Sequence, residues 1–207
     1  MNLPQALRLY VIPDREIGAP RSLLEQTTEA LAGGATAIQL RDKRLPGREL
    51  LTLGRAMAEL CRRAGALFIV NDRLDVALLC NAHGVHLGQD DLPADAARKI
   101  CPPGFIIGVS AQNAEHARLA QAHGADYLGI GAVFATQSKE ESEAMGLAAV
   151  RETAAATTLP SVAIGGINLA NAREVMNTGV NGLSVISAVV AAPDIRAAAG
   201  EFLKIVG

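Results

Sequence analysis

Two aspartates, Asp72 and Asp91, each close a short apolar run, and three cations, Arg41, Lys43 and Lys139, stand at comparable places elsewhere in the chain. Carboxylates just past neighbouring strands, about 4.8 Å apart, can share one hard cation. Few protein ligands beside a phosphate-rich partner suit Mg²⁺ better than Ca²⁺. Each aspartate also has the form of a helix N-cap, Asp72 after Asn71 and Asp91 before Leu92-Pro93, and spacing alone does not choose between metal and cap. Arg41 and Lys43 alternate on one side of an extended segment, so both can enter the space that Lys139 would reach from a long loop. A diphosphate ester carries roughly three negative charges. Three cations and a divalent ion set against two aspartates leave a positive surplus that matches a diphosphate better than a monophosphate. A second feature pairs Gly165-Gly166 with Ile186-Ser187. Such loops can hold phosphate through backbone N–H groups, although a tight left-handed turn would need the same glycines. Two phosphorylated groups in one site argue for a two-substrate reaction.

Those residues need a frame that brings them to one rim. Short apolar runs read as strands at Leu9–Ile12, Ala37–Leu40, Leu67–Val70, Gly84–Leu87, Phe105–Val109, Tyr127–Ile130, Ser161–Ile164 and Gly182–Ile186. They are nearly continuous in hydrophobicity, as strands covered on both faces must be. Amphipathic stretches between them read as helices at Ser22–Ala32, Arg48–Ala64, Asp72–Asn81, Pro93–Ile100, Asn113–Ala122, Leu147–Ala155, Leu169–Asn177 and Pro193–Ile205. Eight alternating pairs in 207 residues predict one domain over 1–207, a single α/β (β/α)₈ TIM barrel. A doubly wound open sheet is the alternative, weakened because no Gly-x-Gly-x-x-Gly turn follows the first strand. In a barrel the active site lies at the C-terminal strand ends. Here those ends carry Asp14-Arg15, Arg41-Asp42-Lys43, Asn71-Asp72, Gln89-Asp90-Asp91, Ser110, Thr136-Gln137-Ser138-Lys139, Gly165-Gly166 and Ser187. The opposite ends carry mainly Gly, Ala and helix caps. One rim concentrates the charge.

Composition narrows the function. The formal charge is −2 and only 3% of residues are aromatic, without the basic excess and stacking rings of a nucleic-acid binder. No apolar window of about 20 residues exists to span a membrane, and the first residues do not form a signal peptide. The expected setting is cytoplasmic, with small-molecule substrates as partners. Cys61, Cys80 and Cys101 are too scattered for a zinc site or a disulfide framework. His83, His116 and His123 read as surface residues, and His86 as a packed or hydrogen-bonded strand residue that could face the pocket. No Ser-His-Asp arrangement is evident.

At these residues the chain resembles the thiamine-phosphate synthase family. The likeness runs through Gln39-Leu40-Arg41-Asp42-Lys43, Asn71-Asp72-Arg73-Leu74-Asp75, His86-Leu87-Gly88-Gln89-Asp90-Asp91, Gly108-Val109-Ser110, Thr136-Gln137-Ser138-Lys139, Ile164-Gly165-Gly166-Ile167 and Val185-Ile186-Ser187. It implies that Gln39, Arg41, Lys43, Asn71, Ser110 and Lys139 hold an aminopyrimidine diphosphate, with Mg²⁺ on Asp72 and Asp91. Arg41, Lys43, Ser110 and Lys139 would act on the departing diphosphate. Thr136, Ser138, Gly166, Ile186 and Ser187 would hold the thiazole phosphate or its carboxylate, and Leu40, Asp42 and Gln137 count as substrate-binding within the same blocks. The implied reaction expels diphosphate first and captures the pyrimidine-methyl cation with the thiazole nitrogen. The family loop reads Pro-Thr-x-Thr-Lys, whereas this chain has Ala135 and Ser138 in it; Ser138 keeps the hydroxyl and Ala135 loosens the turn. A thiazole tautomerase of the same fold is the alternative, but Ala132 stands where those relatives carry a histidine. A non-catalytic binder of thiamine phosphate is a third reading.

Overall fold

In the computed structural model, which describes residues 2–135 and 144–207, eight parallel strands close into a barrel in sequence order. The strands are β1 (Leu9–Val11), β2 (Ala37–Leu40), β3 (Leu67–Asn71), β4 (Gly84–Leu87), β5 (Ile106–Ala111), β6 (Tyr127–Gly131), β7 (Ser161–Ile164) and β8 (Gly182–Val185). Closure is made by β1 pairing with β8, Tyr10 beside Ser184. The open-sheet alternative is thereby excluded. All eight predicted strands are present, within one or two residues of their expected ends.

The eight predicted helices are also present. They are α2 (Leu23–Ala32), α3 (Gly47–Ala64), α4 (Leu74–Leu79), α5 (Ala94–Arg98), α6 (Ala114–Ala122), α7 (Gly146–Ala155), α8 (Ala172–Met176) and α10 (Ile195–Val206). Local chemistry sets several ends. Ser22 and Glu25 form a capping box at the start of α2, and Gly65 ends α3 at φ +67°. Pro193 lies before α10 rather than in its first turn; the N-cap is Asp194, whose side chain accepts from the Ala197 N–H at 2.8 Å. Two four-residue helices escape the periodicity: α1 (Leu3–Ala6), and α9 (Ser187–Val190) directly after β8.

Alternation along each strand produces two apolar cores. Leu9, Ile38, Phe68, Val70, Val85, Leu128 and Leu183 face outward into the layer beneath the helices. Tyr10, Ala37, Leu67, Ile69, Tyr127 and Val162 point inward, where Ala6 and Leu7 join them, with Leu3 of α1 packed alongside. The N-terminal helix is therefore part of the barrel's filling.

Two inward strand positions are glycine because rings occupy the space. A Cβ on Gly108 would fall on the Tyr127 ring, and one on Gly129 would lie 2.8 Å from His86 Cε1. Gly108→Ala is accordingly expected to lower the thermal midpoint, by overpacking worth about 1–3 kcal/mol. A midpoint equal to that of the unchanged protein would mean that the ring is free to move.

Candidate active site

The C-terminal mouth encloses a cavity of about 900 Å³. Gln39, Arg41, Lys43, Asn71, Asp72 and Asp91 line one side of it. Ser110, Gly166, Ile186 and Ser187 complete the set of predicted residues found there. Thr136, Gln137, Ser138 and Lys139 lie outside the described residues.

Two predicted residues are placed elsewhere. Leu40 is buried in the outer core, where the strand's alternation sends it. Asp42 turns away from the mouth for the same reason. Its side chain is 5% exposed; it accepts from the Arg44 and Leu45 N–H groups at 2.9 and 3.0 Å, and from Arg15 Nε and Nη2 at 2.9 Å each. Burial acts to raise the Asp42 carboxyl, but those donors together hold it below its usual range. Asp42 thus fixes the loop whose neighbours Arg41 and Lys43 enter the cavity.

Asp72 and Asp91 face each other. Asp72 follows β3 at φ +61°, a left-handed conformation unusual for a non-glycine residue, and its N–H donates to the His86 carbonyl at 2.8 Å. The N-cap alternative does not describe either aspartate. The N-cap of α4 is Arg73 and that of α5 is Pro93, and neither helix has a side-chain cap. Asp91 Oδ2 instead accepts from the Gly88 N–H at 2.6 Å. Burial, then hydrogen bonding to Asp91 and its charge, push the Asp72 carboxyl up to about 6, while Lys43 and Arg41 act in the opposite sense. Two facing carboxylates that disfavour each other's charge in this way are a pair that a shared cation could relieve.

The opposite wall is built from loops. Gly165 and Gly166 have φ of +107° and +65°, so the left-handed turn is real. A Cβ on Gly166 would lie 2.7 Å from Phe134 Cβ, and the Gly165 carbonyl accepts from the Phe134 N–H at 3.1 Å. Ser187 opens α9 and lines the cavity.

Tyr10 and His116 are among the cavity residues that were not singled out from the sequence as site residues. Tyr10 lines the cavity floor and packs against the buried Tyr127, which in turn contacts His86, and His116 lines the cavity wall with a buried Nδ1 that has no hydrogen-bond partner among the described residues. His116 is thus not the surface residue expected. His83 is exposed, as expected, although its Nδ1 accepts from the Phe68 N–H at 3.0 Å. Cys61 and Cys80 are buried, and burial raises both thiols.

A closed parallel barrel with Arg41, Lys43, Asp72 and Asp91 gathered at the C-terminal mouth has the architecture of a (β/α)₈-barrel enzyme. The family described as thiamine monophosphate synthase matches residues 9–189. A thiamine-phosphate synthase of Coprothermobacter proteolyticus is 51% identical over 205 residues, covering 99% of this chain and 97% of its own. One of Moorella thermoacetica is 54% identical over 199 residues, covering 96% and 95%. The solved structure of a thiamine phosphate pyrophosphorylase from Pyrococcus furiosus superposes with a TM-score of 0.91 at 48% identity, covering 99% of this chain and 98% of that one. The chain belongs to the thiamine monophosphate synthase family, and its activity is thiamine-phosphate synthesis. Among the described residues no helix is long and apolar enough to cross a membrane.

Proposed function

We propose that the chain joins 4-amino-2-methyl-5-pyrimidinylmethyl diphosphate to a thiazole phosphate, presented as such or as its carboxylate, forming thiamine phosphate and releasing pyrophosphate. The observation that carries this reading is the facing pair Asp72 and Asp91, set beside Arg41 and Lys43 in the mouth of a barrel of this family.

The donor set fits Mg²⁺. Among the described residues no group of three or more His, Cys, Asp or Glu converges, and two carboxylates are the complement expected of an ion that keeps waters and binds substrate phosphate. Asp72 and Asp91 would hold it, and when bound it supplies positive charge at the departing diphosphate. Arg41, Lys43 and Lys139 add fixed charge where negative charge grows as the carbon–oxygen bond breaks. Ser110 donates to the same substrate, while Gln39 and Asn71 orient its aminopyrimidine. The thiazole phosphate is held by Gly166, Ile186 and Ser187 together with Thr136 and Ser138, and Gln137 counts as substrate-binding in the same block. Its ring nitrogen attacks with a lone pair, so no general base is needed. A cytoplasmic enzyme with small-molecule substrates follows from the same reading.

The test is a coupled pyrophosphate assay. Release is expected only when both substrates and Mg²⁺ are present, and it should stop with EDTA. Isomerisation of the thiazole carboxylate that ignores EDTA would instead favour a tautomerase. Tight binding of thiamine phosphate without any condensation would favour a binding protein.

A further inference from the structure

Gln39 on β2 and Ser110 on β5 belong, in the proposed function, to one substrate, yet they stand on different sides of the barrel. A chain of hydrogen bonds, buried at the Gln39 end and part-buried at the Ser110 end, connects them. Gln39 Nε2 donates to the Tyr10 hydroxyl at 2.8 Å, and the Tyr10 and Tyr127 hydroxyls are 3.1 Å apart. The Tyr127 hydroxyl lies 3.0 Å from His86 Nδ1, and His86 Nε2 lies 3.0 Å from Ser110 Oγ. The glycines at 108 and 129 leave room for the two rings in the middle of this chain.

The chain has a direction. Tyr10 is 1% exposed and Tyr127 is 0% exposed, so neither hydroxyl can turn to bulk water. Burial raises both phenols above their ordinary range, and both stay neutral. Because Tyr10 oxygen accepts from Gln39, its hydrogen goes to its other neighbour, the Tyr127 oxygen. Tyr127 then donates to His86 Nδ1. A neutral imidazole with one nitrogen accepting carries its proton on the other.

The geometry points to a single positioning relay in which Tyr127 holds His86 in the Nε2–H form, so that Ser110 accepts from the imidazole and keeps its own hydrogen to donate into the cavity. At the far end the same chain fixes the Gln39 amide, leaving its carbonyl oxygen and remaining N–H to meet the acceptor–donor edge of an aminopyrimidine. Tyr10 and Tyr127 act through Gln39 and Ser110 and are positioning residues. The ligand's identity rests on the proposed function; the hydrogen-bond direction does not. Each link polarises the next, so negative charge growing on the substrate group that Ser110 faces is felt along the whole chain.

The test uses the full chain labelled with ¹⁵N-histidine. At mildly alkaline pH, ¹⁵N–¹H correlation should show His86, assigned by its disappearance in His86→Gln, protonated at Nε2 and bare at Nδ1. Tyr127→Phe should lose this single form and lower kcat about 10- to 100-fold with a smaller change in KM. Tyr10→Phe should keep the tautomer, because the Tyr127–His86 bond survives, while KM for the aminopyrimidine diphosphate rises as Gln39 loosens. A proton on Nδ1 in the unchanged protein overturns the relay, as does an unchanged kcat in folded Tyr127→Phe. Should Tyr127→Phe not fold, the unchanged protein and Tyr10→Phe still decide the direction. Loss of the Nε2–H form in Tyr10→Phe, or an unchanged KM there, also counts against it. If the tautomer is as stated but the unchanged protein makes no thiamine phosphate, the functional reading fails and the relay stands.

Discussion

Asp72→Asn is expected to lower turnover about 100- to 1,000-fold and, without metal, to make the protein more stable. The two effects have one origin. In the folded protein the Asp72 carboxyl is pushed up to about 6, first by burial and then by Asp91. Its ordinary value lies near 3.8. A group whose folded pKa is raised costs stability when ionised, so the cost is present above about 6 and is relieved as the pH falls toward 4. At full effect that displacement is worth about 3 kcal/mol, and solvent screening at a half-exposed group brings it to about 1–2 kcal/mol. Asparagine removes the charge, keeps much of the shape and tolerates the left-handed backbone. The melting temperature at neutral pH should therefore rise by about 2–8 °C. Mg²⁺ should reverse the order: it stabilises the unchanged protein by binding the folded state and does little for the variant. Calorimetry at neutral pH, with and without Mg²⁺, reads both signs. A variant that melts lower than the unchanged protein in EDTA would show that Asp72 serves the fold rather than a cation.

The sequence carried the frame of this site better than its floor. Strands such as Ala37–Leu40, Gly84–Leu87 and Ser161–Ile164 are found at their predicted limits, because burial on both faces forces an unbroken apolar run. Helices α1 and α9, four residues each, are too short to show a helical period. α1 is held by tertiary packing inside the barrel. Period-two alternation also decides Asp42: with Arg41 and Lys43 in the mouth, the residue between them must face the other way. Tyr10 and Tyr127 passed as apolar strand residues, since nothing local separates a packed tyrosine from a hydrogen-bonded one. A signal was nonetheless present. They are the only two tyrosines in the chain, and glycines interrupt β5 and β6 where a strand would ordinarily carry a side chain. His116 looked like a surface residue because it sits on an amphipathic helix, but α6 begins at the barrel mouth and its first turn reaches back to the cavity.

Arg41→Gln should reduce kcat about 100- to 1,000-fold and leave KM for the diphosphate substrate much less affected. Arg41 lines the cavity beside Asp72, and its charge is one of the two that pull that carboxyl downward. A cation that merely held a diphosphate equally in the ground and transition states would change KM alone. In a dissociative substitution the leaving oxygen gains charge as its bond to carbon breaks, so the loss belongs in kcat. A second consequence separates Arg41 from an ordinary phosphate contact. Without its field the Asp72 carboxyl rises further, and proton and Mg²⁺ compete more strongly for the pair. The Mg²⁺ concentration needed for half-maximal rate should increase in the variant, most steeply as the pH is lowered through about 6. Arg41→Lys restores the charge but not the two-pronged geometry of guanidinium, and should recover the Mg²⁺ response more fully than the turnover. Steady-state kinetics across pH and Mg²⁺ concentration measures all three quantities. A rise in KM with kcat intact would place Arg41 in substrate capture and remove it from the expulsion of diphosphate.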